Sequence, residues 1–328
     1  MTANPYFTYI YTHNLTPPAK VSKIRIWFFS LALLPAIVSG QSVSAGKVEQ
    51  LTTLNDGELM ATAVSPSGNM ILATSPGYIG LKLIEVAGKS IKIITSDPGA
   101  GYEPRFSADG KTIYFRSDVY SEMKKYSSLH AYNLQSGETK LLENKARDLT
   151  PPAIAGNKVV WTTEGKKKST TDTTTGPKTE AEIPFILLEN LTPVLYLNGK
   201  SIPLTPNGRG YYIWTSLSPD KSRLLYNFNG TGTFVCDTAA NIIASAGRLN
   251  APAWLNNNII IGMDDRDNGY MVISSDIIAF VPETGEKINL TATDGTIEMY
   301  PVPFPDGKRM VYQTARGELF IMNLIFKQ

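Results

Sequence analysis

A short pattern of polar turn residues followed by alternating apolar residues recurs along the chain. In its clearest form it reads SADGKTIYFRS. Six copies begin at Ser65, Ser107, Ala155, Ser218, Leu255 and Phe304, those at Ala155 and Leu255 being weaker. The starts are 42, 48, 63, 37 and 49 residues apart, and such spacing is typical of a repeat architecture.

Each copy predicts a tight turn that leads into a β-strand. Proline near the start of the copy, as at Pro219, fixes φ for the first corner of the turn. Asp109 can accept hydrogen bonds from the local backbone, and Gly110 can adopt positive φ. The following residues, such as Ile113 to Phe115, are apolar and suit a strand.

A second pattern of strand, polar turn and strand follows the first. It reads LHAYNLQSGETKLL from Leu129 and IIAFVPETGEKINL from Ile277. Two hairpins in about 40–50 residues are the size of one propeller blade. We therefore predict an all-β, six-bladed β-propeller over residues 46–328. Its blades are expected at about 57–101, 102–150, 151–210, 211–250, 251–298 and 299–328.

The sixth copy ends one strand short, after GELFIMNLIFKQ. The segment 46–54 is similar to the strand that follows the second turn in other repeats. We expect this N-terminal strand to complete the last blade and close the ring, which would limit exposed strand edges. The polar, threonine-rich segment 164–182 is expected to be a flexible insertion loop within the third blade.

The turn before an apolar strand, followed by Ser117 and Asp118, resembles the repeats of TolB-type six-bladed propellers. The segment DDRDNG from Asp264 is similar to the family's loop after the second strand. The resemblance covers residues 46–328 and implies a fold. It specifies function poorly, because this propeller hosts binding modules, peptidase accessory domains and enzymes.

The first 45 residues are predicted to be a signal peptide with an upstream extension. Lys20, Lys23 and Arg25 precede an apolar run, and small residues offer cleavage points after Gly40 or Ala45. Residues 1–45 hold three of the 31 Lys and Arg and none of the 29 Asp and Glu, so the remainder is nearly neutral. We expect a secreted or periplasmic protein that does not bind nucleic acid and has no membrane span after cleavage.

The chain offers few catalytic groups. It has two histidines, of which His130 alone lies in the propeller, and it has no GxSxG motif. The spacing of DDRDNG does not fit an EF-hand, although a looser oxygen site for Ca²⁺ remains an alternative. We expect no cofactor and no metal.

Ligand binding is expected at the mouth of the central channel, where aromatic and charged residues come together by repeat alignment. The candidate residues are Tyr102, Glu103, Arg105, Arg116, Asp118, Tyr212, Trp214, Trp254, Asp264, Arg266, Glu298 and Tyr300.

The leading hypothesis is a non-catalytic binding or scaffold module that recognises an envelope or secreted protein, a peptide or a glycan. The alternative is a hydrolase or lyase acting on a carbohydrate or a lactone. It would use channel carboxylates such as Glu103 and Glu298, with or without Ca²⁺, and would need them about 5–9.5 Å apart for glycoside hydrolysis. A purely structural role in a cell-surface assembly is a third possibility.

Overall fold

A computed structural model describes residues 42–171 and 183–327, which form an all-β propeller of seven sheets. The predicted β-propeller is confirmed, and the predicted number of six blades is wrong. The expected signal peptide falls on residues that lie outside the described ones, except for its last four.

The chain begins with β1 (Ser42–Gln50), which belongs to the seventh sheet, and a 3-10 helix at Leu54–Asp56. The first sheet contains β2 (Met60–Val64), β3 (Met70–Ser75), β4 (Ile79–Glu85) and β5 (Ile91–Pro98), with a 3-10 helix at Pro76–Tyr78. The second contains β6 (Arg105–Phe106), β7 (Thr112–Ser121), β8 (Lys124–Asn133) and β9 (Thr139–Ala146). The third contains β10 (Ala153–Ala155), β11 (Lys158–Thr163) and β12 (Lys166–Thr171).

The fourth sheet contains β13 (Phe185–Glu189), β14 (Thr192–Leu197) and β15 (Lys200–Pro203). The fifth contains β16 (Tyr212–Leu217), β17 (Arg223–Phe228), β18 (Gly232–Asp237) and β19 (Ile242–Gly247). The sixth contains β20 (Asn250–Trp254), β21 (Ile260–Asp267), β22 (Val272–Val281) and β23 (Glu286–Asn289). The seventh contains β24 (Glu298–Pro303), β25 (Arg309–Thr314) and β26 (Leu319–Lys327), with β1 outside β26.

The extra sheet comes from the predicted third blade, residues 151–210, which forms two three-stranded sheets. Residues 166–171, expected to begin a flexible loop, instead form β12 and pair with β11 from Lys158↔Thr171 to Thr163↔Lys166. Residues 172–182 of that expected loop lie outside the described residues. The polar composition of β12 concealed the strand, because it has no apolar period.

The two sheets with three described strands follow each other along the chain. Antiparallel strands alternate in direction, so a four-stranded sheet returns the chain to the face of the ring from which it entered. A three-stranded sheet leaves the chain on the opposite face, and a second one brings it back. Accordingly, the backbone N–H of Tyr212, at the start of β16, donates to the carbonyl of Leu191, just after β13, at 3.2 Å. The strand β13 therefore runs opposite to β16.

The core consists of apolar clusters between neighbouring sheets. One cluster, for example, places Leu72 and Leu81 of the first sheet against Ile113 and Phe115 of the second. Similar clusters join the second sheet to the third, and the fourth to the fifth and onward through the seventh to the first. Within residues 42–171 and 183–327, no such cluster joins the third sheet to the fourth.

The inner strands share a bulge near their first residues. One extra residue lies between Ile213 and Ser216 of β16, and the same shift occurs in β20 and β24. The residues in the bulges, Trp214, Ala251 and Tyr300, have φ of 51°, 44° and 52°. A bulge re-aims side chains. Repeat alignment alone therefore does not fix which way a candidate residue points.

The strand β1 pairs with β26 in antiparallel register, with Ser42 opposite Lys327 and Val48 opposite Met322. It begins four residues before the expected segment. Val43 is 2% exposed and packs in the cluster between the sixth and seventh sheets. No helix within the described ranges is long and apolar enough to cross a membrane.

We expect Val43→Ala to lower the free energy of unfolding by about 2 kcal/mol, because it removes two buried methyl groups. The matched control is Val48→Ala on the same strand, where the side chain is 43% exposed. It should cost less than about 1 kcal/mol. Urea unfolding of the two variants measures the difference, and equal losses would contradict this placement of β1.

Candidate functional site

A cavity with a volume of about 550 Å³ lies on one face of the ring, where the first four sheets meet. The connections β3–β4, β5–β6, β9–β10 and β13–β14 border it, together with the outer ends of β7 and β8. It lies at the junction of the third and fourth sheets, where an apolar cluster is missing. We call it the face cavity.

Arg116 of β7 is the central charged group of the face cavity. It is 6% exposed, and its Nη1 donates to the carbonyl of Leu149 at 2.8 Å. Its Nε is buried without a hydrogen-bond partner. Burial lowers the pKa of Arg116, and the nearby Asp118 and Glu103 oppose that shift. The guanidinium is therefore only partly compensated by the protein.

Tyr102 packs against the guanidinium, and Tyr78 packs against Tyr102. Arg116 lies over the Tyr102 ring at 5.0 Å from its centroid, and Tyr102 meets Tyr78 edge to face at 5.1 Å. Burial, with the charge of Glu103 adding to it, raises the pKa of Tyr102 to about 12. Both phenols are thus neutral at physiological pH and present polarisable faces to the cavity.

The acidic residues of the face cavity already have partners. Asp118 accepts from Ser127 Oγ at 2.5 Å and pairs with Lys125 at 3.4 Å. Asp148 accepts from the backbone N–H of Glu164 and of Gly165 at 2.8 and 3.3 Å. A third acid, Glu189, accepts from Tyr196 Oη at 2.5 Å. These carboxylates therefore take part in the hydrogen bonds of the cavity wall.

The wall is also close-packed at Gly99, which follows β5. Its φ is +77°, and a Cβ there would lie 2.3 Å from Asp118 Oδ2. Glycine is thus needed both for the backbone conformation and for the space.

The smaller cavity, of about 200 Å³, is bordered by the inner strands β10, β13 and β16 and by β6. The candidates Glu103 and Arg105 line it and form an ion pair at 3.1 Å. Both side chains are 38% exposed. Such exposed pairs contribute little to stability. Lys221 also lines this cavity, and burial lowers its pKa.

Of the twelve candidates, the structure brings Tyr102, Arg116 and Asp118 to the face cavity, and Glu103 and Arg105 to the smaller one. The remaining seven line neither cavity. Tyr212 is fully buried among Tyr226 and Phe228, so it is a core residue.

Trp254 also has a structural position. It is 7% exposed, donates from Nε1 to the carbonyl of Ser216 at 3.3 Å, and lies under the guanidinium of Arg223. Trp214 is 36% exposed in the bulge of β16. Neither tryptophan shares a cavity with Arg116.

The segment DDRDNG was expected to be a loop, but its first four residues belong to β21. Asp264 and Arg266 are exposed there, opposite Asp276 and Ser274 of β22. Asp265 accepts from Asn250 Nδ2 at 2.7 Å and so ties β21 to β20. Among the described residues no group of three acidic, His or Cys side chains is arranged to hold a metal ion.

Glu298 and Tyr300 lie at the inner strand of the seventh sheet. Glu298 is 2% exposed, accepts a hydrogen bond from Thr293 Oγ1, and leaves its Oε2 without a partner. Burial raises its pKa, and the charge of Asp276 adds to this. Glu103, by contrast, pairs with Arg105 in the smaller cavity. The proposed catalytic pair therefore does not share a cavity.

His130 accepts or donates a hydrogen bond with Ser117 Oγ at 2.8 Å and stacks on Phe115. Burial lowers its pKa. A serine and a histidine in contact are two parts of a nucleophilic site. Neither residue lines the face cavity or the smaller cavity.

Several residues of the face cavity were missed from the sequence: Tyr78, Tyr120, Lys125, Arg147, Asp148 and Glu189. They lie in connections and hairpin ends, outside the repeated pattern. The available signal was topological, because connections between second and third strands share a face with those between sheets. An alignment of the aromatic and charged residues in those connections would have pointed to these cavity residues.

No family model matches the chain, and no curated protein matches it in sequence. Among solved structures it is similar to the β-propeller domain of Cps50 (Swd1) from Myceliophteria thermophila. The TM-score is 0.55 at 9% identity, over 86% of this chain and 99% of that one. The likeness is one of fold alone.

Two other similar structures have lower TM-scores. TolB from Acinetobacter baumannii gives 0.49 at 15% identity, over 74% of this chain. The chain covers only 56% of TolB. The oligogalacturonate lyase from Vibrio parahaemolyticus gives 0.45 at 10% identity, over 86% of this chain and 96% of that one. No argument about function follows from these two structures.

We expect Glu298→Gln to raise the free energy of unfolding by about 1 kcal/mol near neutral pH. The raised pKa means that the folded state loses stability as pH rises through that pKa, because a buried charge then forms. The gain should disappear once pH falls below the ordinary glutamate pKa of about 4.3. Urea unfolding across this pH range measures it.

The control is Glu286→Gln, at an exposed position of β23. It should show little change at any of these pH values. A gain for Glu298→Gln that stays constant down to acid pH would contradict the assignment of a buried carboxylate.

Proposed function

We propose that this protein is a non-catalytic binding propeller whose ligand, a protein, peptide or glycan, docks in the face cavity. The observation that carries the proposal is Arg116, a buried guanidinium with an unpartnered Nε that lines a cavity of about 550 Å³. A volume of this size suits a ligand, since small-molecule sites occupy about 300–1,000 Å³. The tyrosines beside it are typical of binding hot spots.

The arrangement of carboxylates favours binding over catalysis. General acid–base hydrolysis of a glycoside needs one carboxyl group that can give up a proton and one that can attack or activate water. In the face cavity the three acids accept hydrogen bonds from neighbouring groups. The most buried charged group of this cavity is a guanidinium, which neither gives up a proton nor acts as a nucleophile at neutral pH.

The proposed partners are outside the cytoplasm, in the envelope or in the secreted fraction, and nucleic acid is not among them. Beyond residue 45 the chain is nearly neutral, so no basic field supports binding to a phosphate backbone. The cavity mixes both signs of charge with aromatic groups, which is the composition of a protein or peptide contact.

Tyr120 and Tyr270 provide a matched test of the site. Both are strongly exposed, at 73% and 97%, and both lie at long hairpins between second and third strands. Only Tyr120 lines the face cavity. We expect Tyr120→Ala to weaken ligand binding about tenfold, or about 1.4 kcal/mol, and Tyr270→Ala to leave it unchanged.

Peptide and glycan arrays would find the ligand, and calorimetry would then compare the wild type and both variants. Binding that ignores Tyr120, or release of a cleaved product from an array ligand, would overturn the proposal. Because neither tyrosine is buried, unfolding does not confuse the comparison.

We also propose that the chain is exported and that β1 closes the ring. Pairing of β1 with β26 supports closure, because it covers the edge of the seventh sheet. Since Val43 packs in the core, cleavage after Gly40 preserves β1, whereas cleavage after Ala45 would remove a buried side chain. We expect the mature N-terminus to lie before Ser42, which mass spectrometry of the exported protein checks. A mature chain beginning at Gly46 would contradict it.

A further inference from the structure

Arg116 keeps hydrogen-bond donors that lack a partner in the face cavity. A guanidinium carries five N–H donors and accepts nothing. Arg116 Nη1 donates to the carbonyl of Leu149, and its Nε has no acceptor. The nearby Asp118 accepts a hydrogen bond from Ser127 and forms an ion pair with Lys125. Leaving donors of a buried cation unpaired is costly. Because Nε is itself buried, an arriving acceptor would meet the remaining Nη donors of the guanidinium and be stabilised there.

A second cation is available at the rim. Arg147, in the connection β9–β10, is exposed and forms no ion pair with the residues that the structure describes. Asp118 pairs with Lys125, whereas Asp148 and Glu189 accept only from neutral N–H and O–H groups, so the cavity holds both signs of charge. Arg116 and Arg147 supply hydrogen-bond donors that have no acceptor among the described residues.

Apolar side chains line part of the face cavity. Leu149, Pro151 and Leu191 lie there among polar residues such as Thr150 and Asn190, and Leu191 is 42% exposed. The apolar side chains can cover an apolar group of a ligand, while Arg116 pairs with an anion. This favours a ligand that joins a planar anion to an apolar side chain.

The geometry points to the α-carboxylate of a peptide C-terminus, carried by an apolar last residue, as the group that docks on Arg116. A guanidinium binds a carboxylate through two parallel N–H···O bonds, and Tyr102 beneath it restricts its plane. Capture of a C-terminal carboxylate is a known mode of peptide recognition. This inference rests on the proposed function and names the docking group of its ligand.

The test uses one acetylated hexapeptide pool ending in Leu or Phe, prepared in three forms. The first has a free C-terminal carboxylate, the second a C-terminal amide, and the third a C-terminal amide with Asp at the penultimate position. Calorimetry with the whole protein in chloride buffer should show binding of the free acid at least about tenfold tighter than of the amide, or about 1.4 kcal/mol. The third form distinguishes a side-chain carboxylate from the α-carboxylate.

Variants then locate the anion. Arg116→Lys keeps the charge and can still donate to the Leu149 carbonyl, but it loses the planar fork, so it should reduce the preference for the acid over the amide about tenfold. Arg147→Gln, at an exposed position, should reduce it only a few-fold. If Arg116→Lys fails to fold in a thermal melt, the comparison of acid with amide on the wild type still decides the matter.

Equal binding of acid and amide overturns the inference, as does preference for the penultimate Asp form or absence of binding by every form. If glycans or other ligands then bind and lose affinity in Tyr120→Ala, the proposed function stands and only the carboxylate docking is wrong. If no ligand class depends on Tyr120, the proposed function fails as well.

Discussion

The structure depends on apolar packing between the faces of neighbouring sheets. Each strand presents alternate residues to the sheets on either side, so a residue such as Leu225 contributes to a cluster that joins two blades. Burial of this surface is the main favourable term in folding. Where the packing is continuous there is no room for a ligand. The face cavity lies at the junction of the third and fourth sheets, where no apolar cluster is found among the described residues.

Whether a sheet has an odd or an even number of strands explains why the junction without an apolar cluster occurs in one place. A single three-stranded sheet would reverse every later strand of the ring. Two in succession restore the direction, and the order of strands from β16 onward matches that of the first two sheets. As a consequence, the two sheets at this junction have three described strands each, where the other sheets have four. The inner strand β13 then runs against its neighbours, and its hairpin with β14 arrives at the same face as Arg116.

The charges of the face cavity follow from their surroundings. Arg116 lies in the middle of β7, directly after the buried apolar residues Ile113 to Phe115, so its stem is buried with its neighbours while its guanidinium lines the cavity. Asp118 lies two residues further along the same face and is satisfied by Ser127 and Lys125 of the paired strand. Spacing of two along β7 thus places a guanidinium and a carboxylate side by side, with only the carboxylate fully partnered.

The sequence by itself determined the propeller, because polar turns and period-two strands repeat locally and each hairpin forms from neighbouring residues. Its candidates Tyr102, Arg116 and Asp118, which lie in or next to a clearly repeated part of the pattern, line the face cavity. It could not determine the seventh sheet, since the Lys- and Thr-rich β12 is stabilised by pairing and carries no apolar period. Nor could it separate Tyr212 and Glu298 from the cavity residues, because bulges and packing between sheets decide where each side chain points. Those are contacts between residues far apart in the chain, and only the tertiary structure contains them.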